Sequence, residues 1–371
     1  MTFGGTGRSS LEAATRDDLT TIARGGILNL IGVVTNTVFN FGLVVIVTRG
    51  LGATTTGIFF ESIALFNIAA TASQWGADVG AVRTIPRYRA LDRLADVRHS
   101  IRAALLPVMA VGLVFGVLLF RYAGSLGDLL TNGAHGDDLA PALRVLAPFM
   151  PVAAAYSVAL AVTRGFGTMV PTNVVDKMGK TFTQAVLVLI VVLAGMSGAV
   201  VSVAWAIPFA LGLAVGLVWT RHLLLGLAPG PVGGIHRAAG GGRVFREFWR
   251  FTAPRGLASM FSVIILWLDT LLIGALRSPA EAGVYAAATR YLAFGQFVGV
   301  AIAQVVGPKL SEVLTIRDHD RARSVYATAT WWLMALAWPI YIVMIVLAPA
   351  LLVVFGAGYQ EATEVLVVLG S

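Results

Sequence analysis

Cysteine is absent from the 371 residues, which excludes disulfides, thiolate metal sites, iron–sulfur clusters and cysteine nucleophiles. Charge is scarce too. Only 12% of the chain is Asp, Glu, Lys or Arg, against roughly 25% in an ordinary soluble domain, so a water-soluble globule is excluded. What fills the chain instead is apolar. Hydrophobic residues make up 57% of it, with 41 glycines, and the mean hydropathy is +0.82, as for a chain whose solvent is mostly lipid. Residues 1–23 hold Arg8, Glu12, Arg16, Asp17 and Asp18 and no apolar core, so a cleaved signal peptide is not expected.

Apolar runs of about 20 residues each cross about 30 Å of hydrocarbon as helices, and they are too long and too little alternating for barrel strands. Nine such runs lie near 25–47, 57–77, 103–122, 141–163, 181–197, 199–220, 254–276, 283–306 and 326–348. The expected fold is therefore all-α, a polytopic transmembrane helix bundle. Only Ser197-Gly198 separates the fifth and sixth runs, which form either a tight hairpin or one long segment. A tenth run starts near Ala362 and stops at Ser371, about half a span, so the chain is expected to end inside a helix. Pro107, Pro148, Pro151, Pro208 and Pro339 stand within the runs and predict kinks. Glycines spaced at four, as in Gly76/Gly80, Gly112/Gly116, Gly212/Gly216 and Gly295/Gly299, suit close helix packing.

Formal charge is +8, from 27 basic against 19 acidic residues. With these spans, all the basic residues but Arg49, Arg121, Arg144, Arg277 and Arg290 fall on the side of the N-terminus. The positive-inside rule makes that side cytoplasmic. No nucleic-acid partner is implied, because basic loops beside a membrane orient the chain and meet anionic headgroups.

The chain also repeats itself. Ala23-Arg24-Gly25-Gly26 before the first span aligns with Pro254-Arg255-Gly256-Leu257 before the seventh, and Gly57-Ile58-Phe59 aligns with Gly283-Val284-Tyr285. Six spans apart, the two units keep one orientation. A parallel repeat implies two bundles that meet at a site on their interface. The divisions expected are a tail at 1–24, a six-helix bundle at 25–222, a basic cytoplasmic linker at 223–253 and a second bundle at 254–371 that stops in its fourth helix.

The stretch Arg49-Gly50-Leu51-Gly52-Ala53-Thr54-Thr55-Thr56-Gly57-Ile58-Phe59, followed by Gly76-Ala77-Asp78-Val79-Gly80 and Arg83, resembles the opening helices of polysaccharide repeat-unit flippases. Phe355-Gly356-Ala357-Gly358-Tyr359 with Ala362 and Leu366 is similar to the approach to their tenth helix. The resemblance implies the multidrug/oligosaccharidyl-lipid/polysaccharide exporter superfamily, with V-shaped alternating-access transporters of twelve or fourteen helices in two bundles. It implies a flippase, not an enzyme, in the bacterial inner membrane. Its cargo would be an undecaprenyl-pyrophosphate-linked oligosaccharide for cell-surface polysaccharide, moved from the cytoplasmic to the outer leaflet. Membrane lipid and glycan polymerase or assembly proteins would be partners, and no cofactor is implied. The alternatives are a cation-coupled multidrug exporter on the same architecture and a membrane glycosyl ligase or polymerase using His135, Asp137 and Asp138.

Polar residues inside the spans fall on stripes. Asn29, Asn36 and Asn40 share one face of the first helix, and Asn67, Gln74 and Asp78 repeat the spacing in the second. In the seventh, Arg255, Ser259, Ser262 and Asp269 line up, as do Arg290 and Gln304 in the eighth. Such stripes are either interhelical hydrogen bonds, each worth about 0.6 kcal/mol, or the wall of a wet cavity, the reading favoured for the charged members. On the cavity reading, Arg24, Arg255 and Arg290 hold the pyrophosphate through bidentate contacts, and Asn36, Asn40, Asn67, Gln74 and Gln304 take sugar hydroxyls. Glu61, Asp78 and Asp269 are candidates for binding a coupling proton or sodium ion, and an Asp269–Arg290 ion pair is the competing use. Other spans, such as Ala185 to Gly195, carry almost no polar residues. Gly179-Lys180-Thr181 is not a P-loop, because Val174 stands where the motif needs glycine. Asp318-His319-Asp320 lies among arginines and reads as a solvated loop.

Overall fold

The computed structural model describes residues 6–226 and 240–370, with side chains from Leu28 onward apart from Gln304 and a few others. Among the described residues every regular element is helical, and six helices are long and apolar enough to cross a membrane. The first two expected spans form one element, α1 (Thr6–Gln74), bent at Gly52, whose φ of 75° only glycine adopts freely. At the bend the Thr56 hydroxyl donates to the Val47 carbonyl at 3.3 Å, satisfying an acceptor freed by the break. After Gly76, α2 (Ala77–Ala90) continues the second limb, and α3 (Leu94–Arg121) is the third span.

Two short helices follow: α4 (Ala123–Leu130) and the start of α5 (Gly136–Leu146) occupy what reads from sequence as a loop, and the rest of α5 opens the fourth expected span. Pro148 then lies within a 3₁₀ turn (Ala147–Phe149) leading into α6 (Met150–Gly165), whose first turn holds Pro151. The fifth expected span begins earlier than its hydropathy suggests. A nine-residue π-helix (Thr172–Lys180) runs into α7 (Thr181–Leu193). A turn with Gly195 at φ 66° leads to α8 (Gly198–Leu225), so the fifth and sixth runs are a hairpin.

The second half opens with α9 (Gly241–Leu276), α10 (Pro279–Thr315) and α11 (His319–Val346). Pro107, Pro208 and Pro339 lie inside α3, α8 and α11, which run through them. Ser278-Pro279-Ala280-Glu281 starts α10 as a cap-and-proline signal: the Ser278 hydroxyl accepts from the Glu281 N–H at 3.2 Å. The chain closes with α12 (Ala348–Leu352), two 3₁₀ turns hinged at Gly356, and α13 (Thr363–Gly370). Residues 241–253, expected in the basic linker, are helical instead. Val244 and Phe248 are fully buried against α2, α3 and α6, and that burial extends α9 beyond its lipid-length core. Residues 227–239 of the linker lie outside the described residues.

The two halves meet through the glycines that the repeat aligns. A Cβ at Gly57 would run into the Pro279 carbonyl, and one at Gly283 would lie 2.8 Å from the Gly57 amide nitrogen. Equivalent positions that touch each other mark a pseudo-two-fold axis. Further along, α9 packs on the second limb of α1, with Gly256 against Trp75 and Gly274 against Glu61. Leu113, Leu193 and Ile265 point outward, 58%, 77% and 75% exposed, as lipid-facing side chains do. Gly57→Leu is expected to lower the thermal unfolding midpoint of the purified protein by several degrees, because overpacking a closed contact costs about 1–3 kcal/mol. An unchanged midpoint would mean that this junction is not closed.

Candidate functional site

One cavity of about 470 Å3 sits where α1, α6, the π-helix, α7 and α8 converge, with Trp267 of α9 and Arg290 of α10 on its wall. The volume is within the about 300–1,000 Å3 of small-ligand sites. Of the residues singled out by sequence, Asn36, Asn40, Asn67, Gln74 and Arg290 line it. They come from two stripes on α1 and one position on α10, brought together by the bend at Gly52. Asn40 donates to the Asn36 carbonyl at 2.9 Å, and the Thr181 hydroxyl donates to Asn36 Oδ1 at 2.8 Å. Arg290 donates Nε–H to the Ala286 carbonyl at 3.1 Å, with its Cζ 5.7 Å from the Phe60 ring and 5.9 Å from the Trp267 ring. Among the described residues its remaining N–H groups meet no acceptor and are available to a ligand.

The opposite wall holds residues that the span pattern hides. Asp176, Lys180, Thr181 and Gln184 descend one face of the π-helix and α7 into the cavity, joined by Tyr156, Ser157 and Trp205. Lys180 pairs with Asp176 at 2.6 Å, and the Tyr156 hydroxyl donates to the same carboxylate at 2.9 Å. Lys177 donates to Asn29 Oδ1 at 2.6 Å, tying the start of the π-helix to α1. The fifth span is therefore not devoid of polar groups. Lys177 and Lys180 read as loop charges only because the apolar run begins after them. Spacing of four from Asp176 through Lys180 to Gln184 was the available signal. Wide turns such as this π-helix recur at functional sites. Aromatic faces complete the cavity: Phe66, Trp205, Phe209 and Tyr156 form a chain of edge-to-face and tilted pairs, each with centroids within 5.9 Å.

The other expected site residues lie elsewhere. Arg255 does not reach the cavity. It lines a separate cleft of about 290 Å3 with Arg83, Arg87 and Arg250 at the basic end, because burial of Val244 and Phe248 fixes the rotation of α9. Asp78 sits in the first turn of α2, where the helix dipole favours an anion. Asp269 accepts from the Tyr285 hydroxyl at 2.6 Å and from the Thr270 N–H at 2.7 Å. No Asp269–Arg290 ion pair closes among the described residues. Glu61 is fully buried, with both carboxylate oxygens lacking a hydrogen-bond partner among the described residues. The side chains of Arg24 and Gln304 lie outside the described residues. At the opposite end, His135 stands just before α5, with Asp137 and Asp138 in that helix's first turn.

Helices long and apolar enough to cross a membrane, packed around a polar cavity, define a polytopic membrane protein. A family model described as polysaccharide biosynthesis protein matches residues 22–314, and the chain belongs to that family. Solved structures agree on the fold. An inward-facing conformation of a multidrug resistance MATE family transporter of the MOP superfamily superposes with a TM-score of 0.61 at 17% identity, over 90% of this chain and 76% of that one. The MATE multidrug transporter DinF-BH, solved as a complex with a bound ligand, superposes with a TM-score of 0.59 at 15% identity, over 94% of this chain and 79% of that one. No curated protein matches the sequence.

Proposed function

We propose that the protein is a flippase that carries an undecaprenyl-pyrophosphate-linked oligosaccharide from the cytoplasmic to the outer leaflet of a bacterial inner membrane. Family membership supports a role in polysaccharide assembly. The observation that carries the choice of cargo is the chemistry of the central cavity. Amides from Asn36, Asn40, Asn67, Gln74 and Gln184 stand beside aromatic faces, a surface that both hydrogen-bonds and stacks on sugar rings, while Arg290 supplies the cationic donor for the diphosphate. A cavity for cationic drugs needs free carboxylates. Among the described lining residues the one carboxylate is Asp176, already paired with Lys180 and Tyr156.

No covalent bond changes in this reading. The diphosphate docks at Arg290, the sugars fill the amide-lined space, and the polyprenyl tail stays in lipid. The closed junction at Gly57, Pro279 and Gly283 separates as the halves rock about their pseudo-two-fold axis. Glu61 is the candidate for ion coupling in this cycle. A charge buried without a partner is costly, so a proton or cation neutralises it while Gly274 packs against it and leaves when the contact opens.

Binding in nanodiscs separates this reading from drug export. Lipid-linked oligosaccharide is expected to displace a fluorescent analogue at least about tenfold more effectively than the cationic dye rhodamine, a discrimination of about 1.4 kcal/mol. Preference for the dye would favour the multidrug alternative.

A further inference from the structure

The basic cleft that holds Arg255 is separate from the central cavity. Two helices build it. Arg83 and Arg87 come from α2, and Glu247, Arg250, Phe251 and Arg255 come from α9. The helices are locked together just beside it, since a Cβ at Gly80 would run into the Thr252 hydroxyl and one at Gly76 would meet the Gly256 backbone at 2.7 Å. Four guanidinium groups therefore share about 290 Å3 with one carboxylate. Glu247 is taken: it forms an ion pair with Arg87 at 2.5 Å and accepts from the Tyr88 hydroxyl at 3.3 Å.

Among the described residues the other three arginines have no anionic partner. Arg83 and Arg255 both stack on the Phe251 ring, with Cζ 3.7 Å and 3.8 Å from its centroid. Arg255 spends one further N–H on the Phe251 carbonyl at 3.2 Å. Stacking orients the planar forks and leaves their edges open. Like charges held this close repel one another unless an anion bridges them. Arginine forks match the oxygens of phosphate groups bidentately.

We infer that this cleft binds a phosphate or diphosphate group at the basic face of the membrane, clamping α2 to α9. The group comes either from the headgroup of an anionic phospholipid or from a soluble phosphate compound. The inference is independent of what the central cavity carries. An anion bound across α2 and α9 stabilises the arrangement in which those helices touch, so site occupancy raises the thermal midpoint by mass action.

The test uses the full chain carrying Arg290→Gln, which leaves the central cavity with Lys180, paired to Asp176, as its one basic side chain among the described lining residues, in nanodiscs near physiological salt. One arm titrates inorganic pyrophosphate into phosphatidylcholine discs and follows heat and thermal midpoint. The other counts phosphatidylglycerol molecules retained by native mass spectrometry from mixed phosphatidylcholine/phosphatidylglycerol discs. Pyrophosphate binding that weakens at least tenfold in Arg83→Gln/Arg255→Gln supports a site for soluble phosphate compounds. Phosphatidylglycerol retention that falls in the same variant, without pyrophosphate binding, supports a headgroup site. Arg250→Gln, a single change at an exposed side chain, is the second variant and is expected to weaken whichever ligand binds in the same direction. Binding and retention both unchanged by these substitutions would overturn the inference.

Discussion

Arg290→Ala is expected to reduce translocation of lipid-linked oligosaccharide in proteoliposomes by about 30-fold or more, with the protein still folded and membrane-inserted. Among the described residues the side chain's one hydrogen bond is to a carbonyl of its own helix turn, so its removal strands no buried partner and the fold tolerates it. Losing the cation that meets the cargo's charge costs about 2–5 kcal/mol when that contact is desolvated. Arg290→Lys is expected to recover part of the rate, since the charge returns without the fork. The readout is protection of a labelled glycan from an external enzyme, with circular dichroism and thermal unfolding as fold controls. Wild-type rates in Arg290→Ala would remove the cation from the mechanism.

Glu61→Gln is expected to leave folding intact and to abolish the response of transport to an imposed proton or sodium gradient. Glutamine has nearly the volume of glutamate, so the fit of the side chain against Gly274, where a Cβ would run into the Glu61 carboxylate, is kept while the ionisable group is lost. Transport down a cargo gradient should continue in the variant. Gradient-driven transport at wild-type rates would exclude Glu61 as the coupling group and return Asp78 and Asp269 to consideration. Asp269 starts at a disadvantage, because Tyr285 and the Thr270 amide already occupy its oxygens.

Much of this arrangement is legible in the amino-acid order. Hydropathy places the helices because lipid leaves the backbone no other way to satisfy its hydrogen bonds. The repeat that pairs Gly57 with Gly283 anticipates the junction at which those glycines touch. Asn36, Asn40, Asn67 and Gln74, from the stripes on the two limbs of α1, line one cavity, while Asn29 instead accepts from Lys177. Hydropathy is blind to two other features. It assigns charged residues next to an apolar run to a loop, and so it hides Asp176 and Lys180, whose charges are compensated by one another and by Tyr156 inside the wall. It also cannot give the rotation of α9, which rests on the burial of Val244 and Phe248 in the first half. That rotation carries Arg255 out of the cavity and into the cleft with Arg83, although Arg255 and Arg290 stand in similar apolar surroundings in the sequence.

The measurement closest to the central claim is cross-linking with an undecaprenyl-pyrophosphate-linked oligosaccharide that carries a diazirine on its first sugar, read by peptide mass spectrometry. Adducts on α1 around Asn36 to Asn40, on the π-helix and α7 between Asp176 and Gln184, and on α8 near Trp205 are the predicted result, reduced by Arg290→Ala. Adducts confined to outward-facing positions such as Leu113, Leu193 and Ile265, or unchanged in that variant, would contradict a cargo carried within the cavity.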